Sequence, residues 1–133
     1  VIEAKGDLWT YPAAWRIITT NGVVKGNGEA VMGAGCALAA KQRFPYLPKQ
    51  LGNALERYGN HLFIFGQYSI ITFPTKNEWR DSSDLGLIEH STEELLDCLM
   101  NRTMTKNTAE NVHVMPRPGC GYGGLRWEVN AGV

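Results

Sequence analysis

No run of about 18 apolar residues occurs in the 133-residue chain, so no membrane-spanning helix is expected. Cysteine is scarce. Cys36, Cys98 and Cys120 are odd in number and widely spaced, with no Cys-x-x-Cys pair, which argues against a disulfide framework and a zinc ribbon. That usage fits a reducing compartment. The first residues hold no basic segment followed by an apolar stretch, so no secretory signal is expected and the cytoplasm is the expected location. Neither sign of charge is in excess. Lys and Arg number 13, as do Asp and Glu, a balance that argues against a broad basic surface on a duplex but leaves room for a local groove. Repeats and low-complexity tracts are absent, and the length suits one domain with one core.

Glycine is what the chain has in excess. Its 15 residues concentrate between Gly22 and Gly35 and between Gly119 and Gly124. Around these clusters the pattern alternates between strand and helix. Ile2 to Lys5 and Trp15 to Thr20 read as strands, the second rich in Ile and Thr. Ala37 to Gln42 carries helix formers, and Leu47 to Tyr58 reads as a helix with Pro48 in its first turn and Gly59 beyond its end. His61 to Phe65 and Tyr68 to Phe73 read as paired strands around Gly66-Gln67, broken by Pro74. Ser83 or Asp84 is placed to cap a helix running to about Asn101, with an apolar stripe of Leu85, Ile88, Leu95, Leu96 and Leu99. Val112 to Met115 is a last strand. Strands interleaved with helices imply a three-layer α/β/α sandwich, and the strand pair at Gly66-Gln67 makes its central sheet mixed.

Both glycine clusters sit where a ligand is expected. Gly33-Ala34-Gly35-Cys36-Ala37 leads from a loop into a helix, where small residues admit a ligand to the backbone and free amides favour an anion such as a diphosphate. It is neither a P-loop nor a full dinucleotide fingerprint, because no Gly-Lys-Ser/Thr follows and the third glycine is missing. A tight turn packing a helix on a sheet would look the same. Pro116 to Trp127 again places glycines between a strand and an expected start of helix, and ligands of open α/β sheets lie beyond the carboxyl ends of strands. Four glycines in six residues make a merely passive turn costly to order.

Taken together, Gly6-Asp7-Leu8, the run Thr20-Asn21-Gly22 through Met32-Gly33-Ala34-Gly35, and Pro116 through Leu125-Arg126-Trp127 resemble the macro-domain family over nearly the whole chain. The resemblance implies a single macro domain over 1–133, lacking the family's C-terminal helix and strand. Phe73-Pro74-Thr75-Lys76, Trp79-Arg80 and Ser83-Asp84-Leu85 are similar to the branch of DNA ADP-ribosyl glycohydrolase antitoxins and terminal ADP-ribose glycohydrolase, and stand-alone macro domains of bacteria and phages share this pattern. By position it implies that Asp7 and Leu8 meet adenine and that Asn21 lies near the distal ribose. Gly33, Ala34, Gly35 and Cys36 would flank one side of the diphosphate. Pro116, Gly119, Cys120, Gly121, Tyr122, Gly123 and Gly124 would flank the other side and the ribose, and Lys76 would be the catalytic lysine. A departure is Gly123, which stands where the human terminal ADP-ribose glycohydrolase has an acidic residue; the DNA-directed antitoxins also have glycine there.

The implied function is release of ADP-ribose from a nucleic-acid base or an acidic side chain. The expected partner is therefore ADP-ribose or an ADP-ribosylated single-stranded DNA or protein, and the domain is expected to act as a monomer with no cofactor and no metal. A neutral lysine amine can attack an anomeric carbon, but Lys76 as an exposed loop lysine paired with a phosphate or with Glu78 remains open. Open alternatives for the whole are an ADP-ribose reader without turnover, a phosphatase acting on ADP-ribose 1″-phosphate, and an interaction module. His61, His90 and His113 are far apart in sequence and suggest no triad. Cys36 and Cys120 read as small packing residues rather than nucleophiles, and Glu89, Glu93 and Glu94 as a solvated helix face. Trp79 and Arg80 read either as a partner for a base or, for Trp79, as core.

Overall fold

The structure is a computed structural model that describes residues 8–10, 13–100 and 113–116. Strand β1 (Trp15–Thr20) is followed by helices α1 (Gly35–Arg43) and α2 (Leu47–Tyr58). Strands β2 (Phe63–Phe65) and β3 (Ile70–Pro74), helix α3 (Leu85–Met100) and strand β4 (His113–Val114) complete the order. The sheet order is β2-β3-β1-β4. β1 lies parallel to both β3 and β4, and β2 pairs antiparallel with β3, so the sheet is mixed as the sequence implied.

Side-chain alternation on β1 and β3 divides the interior into two cores. Ile18 and Ile70 face Ala37, Ala40, Leu47, Leu51 and Leu55 of α1 and α2. Ile17, Ile71 and Phe73 face the other way, onto Ile88 of α3. The result is a three-layer sandwich in which each fully buried aliphatic side chain contributes about 2 kcal/mol.

The helices start and stop close to where their residues dictate. α1 begins at Gly35, two residues before the run of helix formers, because Gly35 adopts φ +59° and turns the chain into the first turn. Asp84, not Ser83, caps α3: its Oδ1 accepts from the amides of Gly86 (2.9 Å) and Leu87 (3.2 Å). β3 runs through Pro74, which closes the register opposite Thr20, so the proline ends the strand from inside it. The expected stripe on α3 needs correction. Leu85 and Leu96 are exposed, and the buried face is Ile88 and Ser91 with Leu95, Cys98 and Leu99 packed behind. Ser91 replaces a leucine there because its hydroxyl donates to the Pro74 carbonyl at 2.7 Å, fastening α3 to the end of β3. The expected strand Ile2–Lys5 lies outside the described residues.

Between β1 and α1 the chain makes a small excursion. Val24 and Ala30 form an antiparallel bridge, and the Ala30 amide donates to the Pro48 carbonyl at 2.8 Å. α2 approaches this excursion so closely that a Cβ on Gly52 would collide with the Gly28 carbonyl oxygen. Backbone cannot move aside as a flexible side chain can. Gly52→Ala is therefore expected to lower stability by about 3 kcal/mol, read as a lower urea midpoint at unchanged slope. An unchanged midpoint would mean that α2 does not touch the excursion.

Candidate functional site

The carboxyl ends of β1 and β3 lie side by side, with Thr20 paired to Pro74. The register carries on past the strands: the Thr75 amide donates to the Thr20 carbonyl at 3.1 Å, and the Gly22 amide to the Asn77 carbonyl at 3.0 Å. Asn21 and Lys76 therefore leave neighbouring strand ends together. β4 runs parallel on the other side of β1, so its carboxyl end points to the same edge, and Pro116 lies two residues beyond it.

The loop that carries Lys76 is closed at its base. The Asp84 amide donates to the Thr75 carbonyl at 2.9 Å, so the residues flanking 76–83 are bonded to each other. Asn60 holds it from the side. Its Nδ2 donates to the Lys76 carbonyl at 2.9 Å and to Asn77 Oδ1 at 3.1 Å, and its side chain packs across Gly22, where a Cβ would come within 2.9 Å of Asn60 Cγ. Asn60 was not legible as a site residue: Gly59-Asn60 reads simply as the end of a helix. The half-buried Lys76 extends its Nζ to within 3.4 Å of the Trp79 carbonyl. Trp79 is 49% exposed, with the Arg80 guanidinium 4.9 Å from its ring centre. The core reading of Trp79 is thereby overturned, because about half of the residue's surface faces solvent.

Asn21 shapes the first glycine loop. Its Oδ1 accepts from the Val23 amide at 2.9 Å, and its Nδ2 donates to the Val31 carbonyl at 3.1 Å, drawing both ends of the excursion together. From Val31 the chain reaches the start of α1. The N-cap, Ala34, offers no side-chain hydrogen bond, and the first turn contains no acidic residue. Among the described residues the amides of Gly35, Cys36 and Ala37 have no acceptor, at the positive end of the helix dipole. A Cβ built on Gly33 or on Gly35 meets nothing within 4 Å among the described residues, so the backbone there is open to them. The Cys36 thiol lies 3.4 Å from Thr19 Oγ1, tying this helix start to the end of β1. This contact supports the packing reading of Cys36.

Asn21, Gly33, Ala34, Gly35, Cys36, Lys76 and Pro116 therefore all follow from the carboxyl ends of three adjacent parallel strands, or from the helix start tied to one of them. Leu8 is placed otherwise. Its carbonyl, with that of Trp9, accepts from the Arg16 guanidinium at 3.0 and 3.1 Å, on the second residue of β1, and the Trp9 ring packs near Phe44 beyond the last turn of α1. Asp7, Gly119, Cys120, Gly121, Tyr122, Gly123 and Gly124 lie outside the described residues. The structure does bring two of the scattered histidines together: His61 and His90 both lie 3.3 Å from Glu94 Oε1, so Glu94 belongs to a cluster rather than to a solvated face.

An open-backbone helix start beside parallel strand ends is the arrangement on which α/β modules hold anionic ligands. No family model matches the sequence. Known proteins do. Over 111 residues the chain is 33% identical to the DNA ADP-ribosyl glycohydrolase of Mycobacterium tuberculosis, covering 77% of this chain and 30% of that protein. Over 132 residues it is 29% identical to the DNA ADP-ribosyl glycohydrolase of Thermus aquaticus, covering 92% and 33%. The chain thus spans about a third of the length of the curated relatives it matches. Among solved structures, the macrodomain of M. tuberculosis DarG superposes with a TM-score of 0.74 at 30% identity, covering 94% of this chain and 80% of that one. The macrodomain of T. aquaticus DarG gives 0.75 at 29%, covering 96% and 83%. Thermosipho africanus DarTG in complex with ADP-ribose shares the fold, with a TM-score of 0.76 at 21% identity over 93% of this chain and 34% of that one. The chain belongs to the macro-domain family, in the branch of the DarG macrodomains.

Proposed function

We propose that this chain is an ADP-ribosyl glycohydrolase module that releases ADP-ribose from a nucleic-acid base, acting as a monomer in the cytoplasm with Lys76 as nucleophile. The observation that carries the reading is Lys76 on a braced loop, directly beside the β1 end from which the open glycine loop departs. Names of relatives add support: two are DNA ADP-ribosyl glycohydrolases, and a third structure holds ADP-ribose.

In this reading the amides of Gly33, Ala34, Gly35 and Cys36 bind one side of the diphosphate. The segment Pro116 to Gly124, including Gly119, Cys120, Gly121, Tyr122 and Gly123, closes on the other side, and Asp7 with Leu8 receives the adenine. Asn21 acts by holding the loop in shape, since its side chain is engaged with Val23 and Val31. The distal ribose then falls at Lys76. The amine lone pair forms a bond to the anomeric carbon as the bond to the base nitrogen breaks. The base leaves with that electron pair and takes up a proton, and the lysine nitrogen loses one. Water then adds to the anomeric carbon, the lysine nitrogen regains its proton and departs, and ADP-ribose is released.

The test is release of ADP-ribose from ADP-ribosylated single-stranded DNA. The reading expects turnover; tight ADP-ribose binding with no hydrolysis of any linkage would instead make the module a reader, a possibility that glycine at position 123 keeps specific. In this reading Trp79 and Arg80 supply the contact to the nucleic acid, Trp79 being an exposed aromatic residue whose backbone carbonyl lies 3.4 Å from Lys76 Nζ. Trp79→Ala is expected to raise KM for the DNA substrate about tenfold, the worth of one base stack, while leaving the affinity for free ADP-ribose unchanged by calorimetry. Equal losses for both ligands would place Trp79 in the ADP-ribose cleft instead.

A further inference from the structure

The geometry points to a binding site for one divalent transition-metal ion of the zinc type, formed by His61, His90 and Glu94. His90 and Glu94 lie one turn apart on α3, and His61 enters from the segment that leads into β2. One donor atom from each lies within 4.8 Å of the others. Glu94 Oε1 is 3.3 Å from His61 Nδ1 and 3.3 Å from His90 Nε2. Ligand atoms about 2.1 Å from a tetrahedral ion stand about 3.4 Å from one another, so two of the three separations already match. The imidazole planes are inclined at 59° with centres 5.7 Å apart, so the rings are splayed rather than stacked.

Two imidazoles and one carboxylate select zinc and its neighbours over magnesium or calcium, which demand more oxygen ligands. The carboxylate is oriented in advance, because the Leu62 amide reaches the same Oε1 at 3.5 Å. The side chains of His61 and His90 are 44% and 52% exposed, so an ion has an entry path and water can complete its shell.

The ion would be structural, and its position explains what it would brace. His61 is the peptide neighbour of Asn60, whose side chain holds the Lys76 and Asn77 segment. α3 already grips the end of β3 through Ser91. Metal bound between His61 and α3 would fix Asn60, and through it the loop of Lys76, from a second direction.

The experiment uses the full chain stripped of metal with a chelator. Calorimetry with zinc is expected to give one equivalent at micromolar affinity or better, and cobalt should give the visible spectrum of a nitrogen- and oxygen-ligated site without a thiolate band. His90→Ala and, separately, Glu94→Gln are expected to weaken zinc binding at least about thirtyfold, within the range that loss of even an outer-shell partner of a metal ligand covers. Both positions are partly exposed, and a circular-dichroism melt of each variant without metal checks that it folds. Zinc binding that is not saturable, that persists in both variants, or that brings a thiolate band would overturn the site and leave the cluster as a set of hydrogen bonds.

Discussion

Lys76→Ala is expected to reduce release of ADP-ribose from modified single-stranded DNA by roughly a thousandfold or more, the scale on which loss of a nucleophile acts. Affinity for free ADP-ribose should change by no more than about threefold, because binding rests on backbone amides rather than on this amine. The split follows from how the loop is built. Its fixed points are backbone atoms: the Thr75 amide on Thr20, the Asp84 amide on Thr75, and the Lys76 carbonyl on Asn60. None of these bonds needs the lysine side chain, so the alanine variant keeps them and loses the amine with its contact to the Trp79 carbonyl. Single-turnover release with a parallel binding titration reads both quantities. Undiminished release by Lys76→Ala would remove the amine from the reaction.

The second large effect is expected at Gly33. Its backbone conformation is not one that excludes a side chain, and a Cβ there meets nothing within 4 Å. Gly33→Glu should therefore fold with an unchanged melting temperature. The new side chain occupies the space through which a diphosphate would reach the first amides of α1, and its charge repels that diphosphate. ADP-ribose affinity is expected to fall at least about a hundredfold, about 2.7 kcal/mol. Gly35 makes the contrast. Its φ of +59° strains any substituted side chain by about 1–2 kcal/mol, so Gly35→Ala should lose stability as well as affinity. If Gly33→Glu bound ADP-ribose like the parent, the anion would not lie at this helix start.

Local chemistry made much of the fold legible. α2 runs from Leu47 to Tyr58, as its Pro48 and Gly59 imply, and β1 spans the residues that its Ile and Thr content marks. The stripe on α3 misled because periodicity counts leucines without asking what lies opposite. Ser91 is buried for a hydrogen bond to Pro74, while Leu85 and Leu96 face outward at the helix start and beyond the core. In the site, the glycine loop and Lys76 were visible because small residues before a helix and a lysine after an apolar strand are local patterns. Asn60 was hidden. Its role depends on meeting residues 16 and 17 positions away, and no local pattern encodes that. The meeting of His61, His90 and Glu94 was hidden for the same reason, since α3 returns to the start of β2 only in three dimensions.

The central claim is that an open helix start holds the diphosphate while Lys76 meets the sugar at the far end of the same ligand. A crystal structure of the Lys76→Ala variant with ADP-ribose, superposed on the lysine side chain described here, tests it most directly. The account predicts the diphosphate on the amides of Gly33 to Cys36 and the anomeric carbon within about 3.5 Å of the lysine nitrogen position. A ligand whose distal ribose points away from the Thr75 to Trp79 loop would contradict it.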